Sequence, residues 1–301
     1  MELRHLRILA TVVQAGGFSA ASRVLGSTQS TISKAIQQLE HDCGMPLLER
    51  LPRGVRPTSA GEIVLRRAAA MLAGEENLQA ELDALRGLET GRLRLGVPPL
   101  GSSVLFAPLI AEYRRRHPGI QIDLHEEGSH TLEHAVLTGE IEIGASLLPA
   151  ADSLSSHPVC NEPMLALLPA GHPLAGKARL SLRQLDGDKI ILFERGFALN
   201  SVIEAACAKR KITFVEAARS GQPDFILALV AAGLGLSLLP RIMITSPQAG
   251  VVAIPVEDAD LRWKLGLIWR RGAVLSPAAQ RWLELVRTAY PPAEARRRTQ
   301  I

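Results

Sequence analysis

Cysteine is scarce: Cys43, Cys160 and Cys207 are the three in 301 residues. Their odd number and wide spacing exclude a disulfide framework and a zinc-ligand pattern, so a reducing cytoplasm is the expected setting. No secretory leader is expected, because MELRHLRIL carries charge through its first turns and has no apolar core. No stretch is long enough to span a bilayer. The greasiest run, Phe225 to Leu239, is interrupted by Gly233, Gly235 and Ser237 and reads as a buried helix feeding a buried strand. Internal repeats are absent. Net charge is small, at +4, which argues against a body coated in nucleic acid and fits a local basic surface on a larger neutral one. Disorder is excluded by an apolar content of 47% with 21% charged residues.

Catalytic signatures are missing too. There is no glycine-rich phosphate loop, no G-x-S-x-G and no H-E-x-x-H, and the Ser, His and Asp residues fall at no spacing that pairs a nucleophile with a base. His130 and His134 stand four apart and can share a helix face, but no third ligand accompanies them, and an ordinary surface helix accounts for both. Cys160 and Cys207 can form a redox pair by position alone, yet both sit in apolar stretches. The expectation is a protein that is not an enzyme and holds neither metal nor cofactor.

What is present is concentrated in Phe18 to Glu40. Ala20, Ala21, Val24 and Leu25 recur at helical spacing after Ser19, a capping residue type, and predict a helix over 19–25. Gly26-Ser27 breaks the pattern, and Ser27 or Thr28 can cap a second helix over 29–39. Ile32, Ala35, Ile36 and Leu39 form its apolar stripe. Gln29, Ser30, Ser33, Lys34 and Gln37 form the other side, short-armed, polar and free of acid. Amides and hydroxyls of this kind read base edges, while lysine offsets phosphate charge. Helix, glycine turn and helix is the helix-turn-helix layout, with Ser19 and Thr28 beside the reading helix. A small bundle with a polar outer face satisfies the same pattern. Ahead of it, Leu3, Leu6, Leu9, Val12 and Val13 predict a backing helix over 1–15. Behind it, Leu51 to Thr58 reads as a hairpin turned by Pro52 and Gly54, with Arg53 and Arg56 projecting as a wing toward phosphates or a narrow minor groove.

A long helix is predicted from Ser59 to about Arg86, opened by a Ser59–Glu62 capping box. Val64, Met71, Leu78 and Leu85 fall seven apart, Ala68 and Leu82 fill the steps between, and Glu75 interrupts. That is a coiled-coil seam, suited to pairing two chains. From Arg92 strands and helices alternate. Strands are expected over 93–97, 119–126, 140–147, 164–168, 189–193, 213–217, 236–239, 251–256 and 265–270. Helices are expected over 104–116, 131–138, 200–210, 223–232 and 277–290. Such alternation is α/β, read as parallel sheet with helical crossovers, and the strand count asks for two lobes. Ligands of open α/β sheets sit beyond the carboxyl ends of strands, where helix N-termini attract anions. Three strand-to-helix loops qualify, offering Ser102 and Ser103, Ser129, and Arg195 with Phe197 and Asn200. A small organic anion between the lobes is the expected ligand.

The chain resembles the LysR-type transcriptional regulators. In the first ~65 residues the match is carried in order by Leu3, Leu6, Phe18, Ser19, Ala20, Ala21, Leu25, Gln29, Ser30, Ile32, Ser33, Leu39, Glu40, Gly44, Leu47, Leu48, Arg50, Thr58, Ala60 and Gly61. Two positions depart from it: Ser30 stands where the family usually has proline, and Lys34 where arginine is common, which removes a forked guanine contact. His117-Pro118, Leu168 to Leu174 and Val230 to Pro240 resemble phrases of the family's effector domain, itself similar to periplasmic binding proteins. The resemblance implies a winged helix-turn-helix over 1–58, a linker helix over 59–89 that pairs two chains, and a two-lobed α/β effector-binding domain over 90–295. Its lobes would be about 90–160 plus 269–295, and about 161–268. It further implies double-stranded DNA as partner, a homotetramer and contact with RNA polymerase at a promoter. The competing reading is a small-molecule binding protein or enzyme without a DNA role. The tail Arg296-Arg297-Arg298 reads as a solvated terminus.

Overall fold

The computed structural model describes residues 1–51, 54–85, 90–244 and 246–291. It opens with α1 (Leu3–Gln14), α2 (Phe18–Val24) and α3 (Gln29–Cys43), then a hairpin of β1 (Leu48–Leu51) and β2 (Gly54–Pro57), then the long α4 (Ser59–Leu85). The apolar stripe of each short helix meets in one small core of Leu6, Leu9, Val12, Ala21, Ile32, Ile36, Leu39 and Leu47, closed on its far side by Ala68 of α4.

The helix ends refine the sequence reading. Helix α2 starts at Phe18, with Gly17 at its cap, so Ser19 lies inside the helix and caps nothing; its hydroxyl donates instead to Gln29 Oε1 at 3.1 Å. Phe18 packs against the core, which draws the helix start one residue back. Thr28 caps α3, accepting from the Thr31 amide at 3.2 Å. That helix runs four residues past Leu39, to Cys43, because Gly44 takes the left-handed conformation that ends it. The Ser59–Glu62 capping box does not form. Thr58 is the cap, accepting from the Gly61 amide at 3.0 Å while donating to the Pro46 carbonyl at 2.8 Å. Gly61 is required by close approach, since a Cβ there would lie 2.0 Å from the Leu47 carbonyl oxygen.

The remainder runs β3 (Gly91–Val97), α5 (Ser102–Leu105), α6 (Ala107–Arg116), β4 (Ile120–Glu126), α7 (Ser129–Thr138), β5 (Ile143–Leu147), β6 (Leu154–Pro169), β7 (Lys189–Phe193), α8 (Ala198–Arg210), β8 (Val215–Ser220), α9 (Pro223–Ala231), β9 (Ser237–Pro240), β10 (Val251–Pro255), β11 (Arg262–Arg270) and α10 (Pro277–Ala289). One expected helix, 104–116, is two, broken at the fully buried Phe106. The sheet order is β4-β3-β5-β11-β6-β10, with β9 also on β6, and β7 and β8 pair apart from it. Strands β3, β4 and β5 are parallel, as expected. Strands β11, β6, β9 and β10 pair antiparallel, so the sheet is mixed. Strand β6 is the connector: Leu154 to Pro163 pairs with β11, and Met164 to Pro169 continues against β9 and β10. Only its second half was expected, because Ser155, Ser156, His157, Pro158 and Asn161 interrupt the apolar pattern of the first.

The seam expected on α4 is divided. Val64 and Ala68 pack into the N-terminal core. Met71, Leu78 and Leu82 are exposed, as is Ile63, which the seam did not include. The side chain of Leu85, with Arg86 and Gly87, lies outside the described residues. Among the described residues no helix is long and apolar enough to cross a membrane.

Candidate functional site

Helix α3 separates its residues as an amphipathic helix should. Ile32, Ala35, Ile36 and Leu39 are buried. Gln29, Ser30, Lys34 and Gln37 are exposed and Ser33 is half-buried, and all five fall within an arc of roughly 140° at ~100° per residue. Hydroxyl contacts order the helix start: Thr28 Oγ1 meets Ser30 Oγ at 2.9 Å and Thr31 Oγ1 at 2.8 Å. Ser19 holds Gln29 from the side. No acid stands on this face between Gln29 and Gln37. On the hairpin, Arg56 is exposed and pairs with Glu49 at 2.6 Å, a bond that raises its already high basicity. Arg53 lies outside the described residues. Two cations were not singled out from sequence. Arg50 places its guanidinium 5.2 Å from the Phe18 ring, which ties the hairpin to the start of α2, and Arg23 is exposed in the last turn of α2. Arg50 was legible only as one of the family-matching positions, since its partner Phe18 is distant in the chain.

The second site is a cavity of about 230 Å³ where three connections meet against strand β11. Pro98, Pro99 and Leu100 lead into α5, Gly128, Ser129 and Thr131 open α7, and Arg195 to Leu199 open α8; Trp263 and Leu265 of β11 supply a wall. None of the three helices has a side-chain cap. The starts of α7 and α8, which no side chain caps, therefore meet here with Arg195, while Phe197, Leu199 and Trp263 offer apolar surface. Gly101 makes the Trp263 wall possible, because a Cβ there would meet the indole at 2.5 Å. Across the cleft, Gly128 and Gly196 approach closely, with a Cβ on Gly128 falling 3.0 Å from the Gly196 carbonyl oxygen. Glu127 also stands on the lining, so the charge is mixed.

The predicted contacts divide. Ser129, Arg195 and Phe197 line the cavity, and Phe197 stacks on Phe193 with centroids 5.0 Å apart. The Ser102 hydroxyl donates to the Pro98 carbonyl, and Ser103 is exposed; neither lines the cavity. Asn200 is buried and its amide donates to the carbonyls of Phe193 at 3.1 Å and Glu194 at 3.0 Å, so it fastens the Arg195 loop. It borders an adjoining space of about 440 Å³ that shares Arg195, Gly196 and Phe197 with the first. Trp263, Thr131 and the Pro98-Pro99 pair were not anticipated, because no local motif announces a wall assembled from distant segments.

Burial pushes the Cys160 thiol up to about 11, and burial raises that of Cys207 as well. Among the described residues no three His, Cys, Asp or Glu side chains form a group able to hold a metal ion.

Residues 3–62 match the family described as bacterial regulatory helix-turn-helix protein, lysR family, and residues 86–291 match the LysR substrate binding domain. The chain is 33% identical to the uncharacterized HTH-type transcriptional regulator YwbI of Bacillus subtilis, over 94% of this chain and 95% of that one. It is 32% identical to the HTH-type transcriptional regulator BudR of Raoultella terrigena, over 95% of this chain and 100% of that one. In fold it is similar to a full-length OxyR variant from Pseudomonas aeruginosa, with TM-score 0.77 and 24% identity, covering 95% of each chain.

Proposed function

Since the chain belongs to the LysR family of DNA-binding transcriptional regulators, with a helix-turn-helix domain and an effector-binding domain, we propose that it binds specific promoter sites under the control of a small organic anion held between its two lobes. The family is one of regulators, not enzymes. The observation that carries the ligand class is the meeting of the starts of α7 and α8, neither with a side-chain cap, and Arg195 on one cavity with an aromatic wall. Such a site suits a carboxylate on an apolar or aromatic body, with Ser129, Thr131 and Arg195 as polar contacts and Phe197 and Trp263 against the body.

In this reading α3 enters the major groove through Gln29, Ser30, Ser33, Lys34 and Gln37, with Ser19 and Thr28 at its edge and Arg53 and Arg56 on the wing. The working divisions are 1–58 for DNA, 59–89 for pairing and 90–295 for the effector. Met71, Leu78 and Leu82, exposed on α4, support pairing of two chains. Two such dimers form a tetramer, and the effector shifts the population between lobe arrangements that set the spacing of the DNA-reading helices. RNA polymerase at the promoter is the further partner, and the cytoplasm the setting.

The test is a melting-temperature screen of the full chain against aromatic and aliphatic carboxylic acids. A member of the panel raises the transition of the native chain and fails to do so with Arg195→Ala. No shift across a broad panel counts against the anion.

A further inference from the structure

Helix α7 runs from the cleft to helix α4. Its first residues, Ser129 and Thr131, and Gly128 before them, are wall of the cleft. Ten residues later it ends at Gly139, which takes φ 79° and lies so close to α4 that a Cβ there would stand 2.9 Å from Ala70 Cβ. The turn that follows holds the same helix. Glu142 accepts from Asn77 Nδ2 at 3.3 Å and, with its two oxygens, from the backbone amide and hydroxyl of Ser276 at 3.0 Å each. Ser276 in turn caps α10. Beside it, Arg94 of β3 pairs with Glu76 of α4 at 2.7 Å and is only 12% exposed. Ala70 and Asn77 are two helical turns apart on one side of α4. Two residues before Ala70, about half a turn away, Ala68 is buried in the N-terminal core. The same stretch of α4 therefore touches the effector lobe and the DNA-binding unit.

We propose that α7 is a rod coupling the cleft to α4, with Gly139 and Glu142 as positioning residues at its α4 end; this rests on the cleft being the effector site. A helix resists compression along its axis, and packed contacts rearrange in discrete steps instead of deforming smoothly. Pressure at Gly128 to Thr131 is therefore delivered to Ala70 and Asn77. Because Ala68 is fixed in the other core, α4 responds by reorienting that core.

The experiment needs neither the effector nor the operator. Amide hydrogen exchange over residues 70–80 is followed in the full chain with the cleft filled by substitution. Ala198→Trp fills it from the opposite lobe and leaves the α7 sequence intact, and Thr131→Trp fills it from α7. Each is made in the native chain and in an Ala70→Leu/Asn77→Ala background, where a wedge and a lost hydrogen bond uncouple α4 from α7. Both fillings are expected to change exchange in that segment by about threefold or more in the native background and not in the uncoupled one. Exchange that is unchanged by either filling, or changed equally in both backgrounds, overturns the proposal. Absence of a shift in the acid screen would leave this result standing, so the two failures are distinguishable.

Discussion

Lys34 and Cys160 show how little of a residue's role is set by its type. Lys34 is exposed beside Gln37 and Ser33, on a face without acid, and its task in the account is to neutralise phosphate. Lys34→Ala is expected to weaken DNA binding to a similar degree across sequences and to lower the slope of log K against log salt by about one, measured by fluorescence anisotropy of a labelled duplex. A change in sequence preference without a change in slope would assign it to base reading instead. Burial pushes the Cys160 thiol up to about 11. The folded state favours the protonated form, so its contribution to stability is full below the ordinary thiol range and is lost as pH rises toward that value. Since the thiolate is the reactive species, iodoacetamide should modify Cys160 slowly at neutral pH in the folded chain and quickly in urea, as read by mass spectrometry. Equal rates would contradict the burial. The residues that were legible from sequence were those whose neighbours are local. Gln29, Ser33 and Lys34 needed only a helical period. Ser102 and Asn200 stand beside segments that line the cavity, but their hydroxyl and amide turn to backbone carbonyls that no spacing rule discloses.

At the scale of elements, long periodic helices and apolar strands were readable, and their ends were not. Helix α3 outran its expected end because Gly44, not the last apolar residue, stops it. The first half of β6 escaped notice because it is polar on the side away from the core, and its partner β11 lies about a hundred residues on. Helix α4 illustrates a different limit. A heptad repeat states that apolar side chains will be covered, not by what: Ala68 is covered by α1 within the chain, while Met71, Leu78 and Leu82 remain open. If those three pair two chains, Leu78→Asp should shift the sedimentation coefficient toward the monomer and weaken binding to a two-fold DNA site by about tenfold or more, since avidity from the second domain is lost. An unchanged sedimentation profile would place the contact elsewhere.

At the scale of the molecule, α3 exposes its polar side, a cavity is walled by segments distant in the chain, and α4 touches both the N-terminal core and the turn after α7. Regulation through DNA requires the outward side of α3 to enter the duplex. The direct measurement is a footprint on the promoter DNA upstream of the protein's own gene, comparing the native chain with Gln29→Ala/Ser33→Ala/Lys34→Ala/Gln37→Ala. All four side chains lie off the buried stripe, so the variant should fold and melt as the native chain does. The native chain is expected to protect a discrete site with steep salt dependence, and the variant to leave it open at about a hundredfold higher concentration. Equal protection by both proteins would contradict the account.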